Sequence, residues 1–382
     1  MQMARRSLLV VTALLLVVGA VAAPARAIGE FGPPVTIDNP TCTFDAFNVD
    51  QAQDDAGVVH GFSDLWGSDC NTGLVIRYFE GSGAGWTVES TPFRGFVVAT
   101  AWDTTGTYLL YMDPTLNLRI SKRQSNGAYL QGRLLSGRAN VGADGSTAQG
   151  DVVASGGRWW AVWREHVAAG GGPGDEFDQT DLFQAYTIGG TYVPRERVTT
   201  SPDWDGYPSL ALTPATTFPV RMVWMRGGSD FGANEGDLRR ALGNKDGGWI
   251  STTLATAGFL NTHPDVQMLG TTTYVVWNRD GRTVEANNGS GTFLSHTFAT
   301  PAVQHQGPRI VVAPGHVVVG WTTQASPFQA FVAEQSGGTW TGAVASPAVP
   351  RLQFLTGVSA TGGTATATIV SFTSQLYSAT ET

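Results

Sequence analysis

The chain predicts an all-β fold, a seven-bladed β-propeller closed by an N-terminal strand that completes the last blade. Three observations carry this expectation. First, seven short apolar runs end at the bulky residues Phe62, Tyr111, Trp163, Trp224, Trp277, Trp321 and Phe372, spaced 44 to 61 residues apart. Second, each interval holds several short segments of β type, and a period of roughly 40 to 50 residues built this way marks four-stranded propeller blades. Third, the last unit supplies only three segments, near 358–360, 365–372 and 376–379, while Pro34-Val35-Thr36-Ile37 near the start can pair as the missing outer strand. Closure by the two ends would leave no unpaired inner edge.

In chain order, the first 27 residues read as a secretory signal, with Arg5 and Arg6 before an apolar run over 8–23 and a small-x-small site at Ala25-Arg26-Ala27. The Arg5-Arg6 pair leaves a twin-arginine export route open beside the general one. No cysteine stands at the cleavage point, and no later run approaches the ~18 apolar residues of a membrane span. A secreted, extracellular protein without a membrane anchor is expected. Losing the three arginines of the signal moves the formal charge from −8 to −11. Lysine occurs only at 122 and 245, and the basic residues are scattered singly. A nucleic-acid partner, which would need a clustered positive face, is therefore not expected.

Residues 28–382 read as a single domain. Their length exceeds what one compact core usually reaches, but a ring of blades grows by burying each sheet against its neighbours. No Pro/Ser-rich linker or change of composition marks a boundary. The innermost strands share a start, as in Tyr207-Pro208-Ser209-Leu210, His263-Pro264-Asp265-Val266 and Gly307-Pro308-Arg309-Ile310, with period-two alternation beyond it. The bulky anchors end the second strands. Glycine hairpins open the fourth strands, at Gly81-Ser82-Gly83-Ala84-Gly85-Trp86, Lys245-Asp246-Gly247-Gly248-Trp249 and Ser336-Gly337-Gly338-Thr339-Trp340. The tryptophan after each turn is expected between blades.

These glycine-tryptophan hairpins, the Trp-ended second strands and the export signal together resemble the sialidase-like (BNR-type) propellers of exported bacterial proteins. The resemblance spans nearly the whole mature chain but is one of architecture. The Asp-box Ser-x-Asp-x-Gly-x-x-Trp is not intact, and Lys245 to Trp249 is a fragment of it. The family implies three arginines around the ring with a tyrosine nucleophile, a glutamate and an acid aspartate. Here Arg94 alone stands at a strand start, with Arg309 two positions further along its own.

The propeller reading puts Cys42 in the loop into the first inner strand and Cys70 in the loop between the second and third strands, on the same face. A disulfide between them is expected and suits an exported protein. The same face holds the expected ligand site. Its loops are unequal, with long ones over about 164–180 and 225–236, and this favours one site over a repeated pocket per blade. Register places Arg94, Gln149, Tyr207, His263 and Gln306 at the axial entrance, with Asp203, Trp204, Asp205 and Asn261 beside them. Trp204 and Trp66 offer aromatic faces for a sugar ring, and Gln149, Asn261, Gln306 and Asp203 offer hydrogen bonds to its hydroxyls. Tyr207, His263 and Arg94 could perform β-elimination on a uronate polysaccharide, and Asp205 with its acidic neighbours could serve hydrolysis. The expected partner is an extracellular polysaccharide or glycan, and a monomer is expected. A non-catalytic glycan-binding or protein-interaction ring stays open. No metal or cofactor is expected, because His166, His263 and His305 lack any short spacing. The loop Asp175-Glu176-Phe177-Asp178 leaves calcium open, although it does not match a twelve-residue calcium loop.

Overall fold

The computed structural model describes residues 35–38, 48–65, 74–83, 85–137, 149–167, 180–201, 204–214, 219–227, 236–243, 248–255, 261–279, 283–287, 296–298, 305–313, 316–323, 330–336, 339–340, 344–345, 353–361, 364–371 and 375–380. Every regular element among them is a strand, and the strands form seven antiparallel sheets. The fold is an all-β propeller.

Each sheet is a meander of consecutive strands. Sheet one holds Val49–Gln53, Val59–Leu65, Val75–Ser82 and Gly85–Arg94; sheet two holds Phe96–Asp103, Gly106–Met112, Leu118–Gln124 and Tyr129–Ser136. Sheet three runs Gly150–Ser155, Arg158–His166, Thr180–Ile188 and Thr191–Arg197, and sheet four Trp204–Leu212, Val220–Gly227, Gly236–Gly243 and Trp249–Ala255. Sheet five runs Asn261–Leu269, Thr272–Arg279, Thr283–Asn287 and His296–Thr297. In sheet six, His305–Ala313 and His316–Thr323 lead to Ala330–Ser336, whose free edge pairs with two short strands, Thr339–Trp340 and Val344–Ala345. Sheet seven joins Gln353–Thr361, Thr364–Ser371 and Gln375–Thr380, and Val35–Asp38 pairs antiparallel with the last of these.

Packing between sheets follows from the second-strand anchors. Phe62, Trp163 and Trp321 are completely buried, and Tyr111, Trp224 and Trp277 nearly so. Each fills the seam beside a neighbouring sheet, as Trp224 does among Trp160, Leu182 and Tyr186 of sheet three. Phe372 lies outside the described residues. The post-turn tryptophans also face the preceding sheet: Trp249 meets Trp160 edge-on at 5.9 Å and Trp340 meets Phe298 at 4.9 Å. Trp86 packs in the cluster that contains Ile37 from near the N-terminus.

Buried carboxylates tie successive sheets together at the axis. Asp50 accepts the Thr100 N–H at 2.5 Å, Asp151 the Leu210 N–H at 2.6 Å, and Asp265 the Ile310 N–H at 2.8 Å. An inner strand has only one in-sheet neighbour, so its outward N–H groups need such partners. No helix among the described residues is long and apolar enough to cross a membrane.

Candidate functional site

The axial candidates are positioned by a defect repeated in the inner strands. Register shifts fall between Gly206 and Ser209, between Thr262 and Asp265, and between Gln306 and Arg309. Each shift contains a proline, Pro208, Pro264 or Pro308, which has no N–H to donate and suits a bulge. The residue before each proline is left-handed, with φ of +49° at Tyr207, +50° at His263 and +43° at Gly307. Glycine adopts this conformation at little cost, whereas a side-chain-bearing residue pays ~1–2 kcal/mol. Two of the three positions nevertheless carry a ring.

Those rings meet. Tyr207 and His263 lie with centroids 4.2 Å apart, and Trp204 meets Tyr207 edge-on at 5.6 Å. The Gln149 Oε1 accepts the Tyr207 backbone N–H at 2.8 Å, so sheet three holds the strained residue of sheet four in place. Trp204 is buried, with Arg164 over its ring at 5.1 Å, and a Cβ on Gly206 would strike its indole. Trp204 is thus a support beneath Tyr207 and not an open sugar platform. The His263 Nδ1 has no hydrogen-bond partner among the described residues. Burial, helped by the charge of Arg309, pulls its imidazole down to about 4, so the ring is neutral at ordinary pH.

The strands continue from these rings into an axial channel of about 620 Å³ that reaches the turn at Asp54, Asp55 and Gly57 at the other end. Its walls carry Asp50, Asp151, Asp265 and Arg309, a set the sequence reading did not select. Burial pushes Asp50 up to about 6, with Arg309 at 3.7 Å working against the shift. Asp151 rises to about 8 through burial and then the charge of Asp50. Asp265 is raised by burial too. Burial opposes the charge of Arg309, but Asp50, Asp265 and Asp151 together hold it firmly protonated. The signal was present in the shared strand start: Asp265 and Arg309 each follow the bulge proline, and every second residue beyond it faces the axis.

Two expected catalytic residues stand elsewhere. Arg94 is the last residue of the outermost strand of sheet one, exposed and paired with Val75, because the chain reaches the next inner strand only after Gly95. Asp205 is fully buried and bound by Arg226 at 2.8 and 2.9 Å and by the Trp224 Nε1 at 2.9 Å. Its carboxylate braces sheet four and cannot reach a ligand. Asn261 and Gln306 pair through their backbones with Arg279 and Thr322 at the inner-strand starts. Asp203, Trp66, Cys42, Cys70 and the 175–178 loop lie outside the described residues. Among the described residues no group of three or more His, Cys, Asp or Glu is arranged to hold a metal.

No family model matches this sequence, and no curated protein matches it in sequence. Solved structures do match in fold. The α-L-arabinanase of Penicillium chrysogenum, complexed with arabinobiose, aligns with a TM-score of 0.55 at 12% identity, covering 80% of this chain and 98% of its own. The α-L-arabinofuranosidase Arb93A of Fusarium graminearum aligns at 0.53 and 12%, covering 83% and 98%. The Aleuria aurantia lectin, complexed with α-methyl-L-fucoside, aligns at 0.50 and 14%, covering 80% and 96%. At such identities the likeness is one of chain path, and it establishes that this chain has the β-propeller fold.

Proposed function

We propose that this protein is an exported, glycan-acting β-propeller with its reactive site where Tyr207 and His263 meet at the strand-start end of the axis. The observation that carries the reading is the retention of two aromatic rings at left-handed positions where the equivalent residue of sheet six is glycine. Strain of this kind is kept where the side chain itself is needed. The carbohydrate enzymes among the fold neighbours are in keeping with this reading. We further take the seven sheets as seven blades of one ring, supported by Val35–Asp38 beside the last strand and by Gln51 packed against Gly357.

The chemistry that best suits the site is β-elimination on a uronate polysaccharide. Neutral His263 takes the proton next to the carboxylate, Tyr207 protonates the departing oxygen, and the Arg309 cation, whose charge reaches His263, favours the acidic sugar when Asp50 and Asp151 hold their protons. Hydrolysis by a carboxylate pair is less well supported here, because Asp205 is committed to Arg226. With Arg94 on an outer strand, sialidase chemistry lacks its arginine frame.

The test is incubation with uronate-containing and neutral polysaccharides while following unsaturated-product absorbance and new reducing ends. Absorbance should rise and fall by about 100-fold or more in rate in Tyr207→Phe and His263→Ala. Because His263 is held near 4, activity should persist to pH about 5 instead of failing near 6.5. Reducing ends without absorbance would replace elimination by hydrolysis, and no signal on any substrate would sink the enzymatic reading.

A further inference from the structure

Among the described residues, two pockets lie away from the axis, between sheets one and two and between sheets three and four, and they repeat one design. The first measures about 500 Å³ and the second about 390 Å³, within the range of small-ligand sites. Each has a second-strand anchor at its back, Tyr111 in one and Trp224 in the other. Each has an aromatic ring at the first residue of an outermost strand, Tyr129 of Tyr129–Ser136 and Trp249 of Trp249–Ala255. Each contains an arginine already neutralised by a carboxylate, Arg119 with Asp113 at 2.5 Å and Arg226 with Asp205 at 2.8 Å.

The rings at the outer strands are fixed in advance by the preceding sheet. The Tyr129 hydroxyl donates to Glu89 at 2.6 Å, and the Trp249 Nε1 donates to Gln184 at 2.9 Å. A ring held this way loses little freedom on binding, which is what makes an aromatic contact effective. In the first pocket the next residue along the strand, Leu130, also lines the site and is about half exposed.

We infer that these two seams are a repeated pair of binding sites for a neutral sugar ring, independent of the axial site. The C–H face of the sugar lies on Tyr129 or Trp249, as apolar faces do on aromatic rings. Its hydroxyls meet the partly exposed guanidinium of Arg119 or Arg226, and in the second pocket the hydroxyls of Thr200 and Ser251. The built-in ion pair cancels the arginine charge, so the pocket selects polarity without net charge. The first pocket is made from strand faces, and the second from strand faces together with the connection 198–201 between sheets three and four, so neither is built from the unequal loops between second and third strands that favour one axial site. Two such sites on one rigid ring would raise retention on a polymer by avidity without any new contact.

The test uses the full chain with methyl glycosides of neutral pentoses, hexoses and deoxyhexoses, read by saturation-transfer NMR and isothermal titration. At least one glycoside should bind with two equivalents per chain. The exposed positions Gln131 and Thr200 line one pocket each, and Gln131→Trp and Thr200→Trp, which fill the pockets without touching the core, should each remove one equivalent. The double variant should bind more than tenfold more weakly while melting like the parent, and His263→Ala should keep both equivalents. Absence of binding by every glycoside, survival of both equivalents in the double variant, or one equivalent removed by a single substitution only would overturn the repeated pair. Loss of both equivalents in His263→Ala would instead assign the binding to the axis and equally refute it.

Discussion

At the level of single residues, Tyr207 and His263 hold conformations their side chains disfavour, and the neighbours that enforce this are identifiable. Gln149 holds the Tyr207 N–H, Pro208 and Pro264 follow each bulged residue, and Trp204 closes the space beneath Tyr207. The consequence can be read in stability. At His263, with φ of +50°, substitution by glycine should be less destabilising than substitution by alanine by about 1 kcal/mol, because only glycine relieves the backbone. Urea midpoints of the two variants check this, and an alanine variant as stable as the glycine one would remove the strain argument. Asp205 illustrates the opposite economy. The same chemistry that made it attractive as a catalyst is consumed by Arg226 and Trp224, and a fully buried carboxylate without such partners would be costly.

At the level of strands, the passage from one sheet to the next depends on tight backbone turns. Gly95 joins the last strand of sheet one to the first of sheet two with φ of +134°, and a Cβ there would lie 1.8 Å from the Met112 carbonyl oxygen. Gly95→Ala should therefore lower stability by more than ~1 kcal/mol, since both the conformation and the contact oppose a side chain. A chemical-denaturation midpoint equal to the parent would show that this junction can rearrange. Such junctions also explain why Arg94 was expected at the axis and stands at the rim. The residue before a sheet-to-sheet crossing and the residue after it are adjacent in sequence but on opposite edges of neighbouring sheets.

For the whole molecule, the channel carboxylates couple the stability of the fold to pH. Asp50 and Asp151 are raised from 3.8 to about 6 and 8, so the folded protein holds these protons more tightly than the unfolded chain does. Their contribution to stability is complete below about pH 4 and is lost as pH rises through the folded values. His263, lowered to about 4, acts in the other sense, with its contribution present above 6.5 and lost on acidification. Above 6.5 only the carboxylates remain, and Tm should fall between pH 6.5 and 9. Asp151→Asn should flatten that decline, whereas a Tm that holds steady or rises over this window would show that the channel aspartates are ionised without penalty.

What the amino-acid sequence determined by itself was the periodic part of the protein. Anchors every 44 to 61 residues, glycine hairpins before Trp86, Trp249 and Trp340, and the shared Pro-containing strand starts specify strands, turns and the propeller, because local pattern and burial alternate with fixed periods. It also brought Gln149, Trp204, Tyr207 and His263 toward one place. Only the tertiary structure decided what each group is free to do. Whether an aspartate is a catalyst, a latch or half of an ion pair depends on partners 21 to 59 residues away, as with Asp205 and Arg226 or Asp151 and Leu210. The seam pockets are decided in the same way, since Tyr129 becomes a platform only when Glu89 of the preceding sheet fixes its hydroxyl. Spacing along a chain sets which face a residue occupies, while the charge, burial and partner it meets there come from the packing of other strands against it.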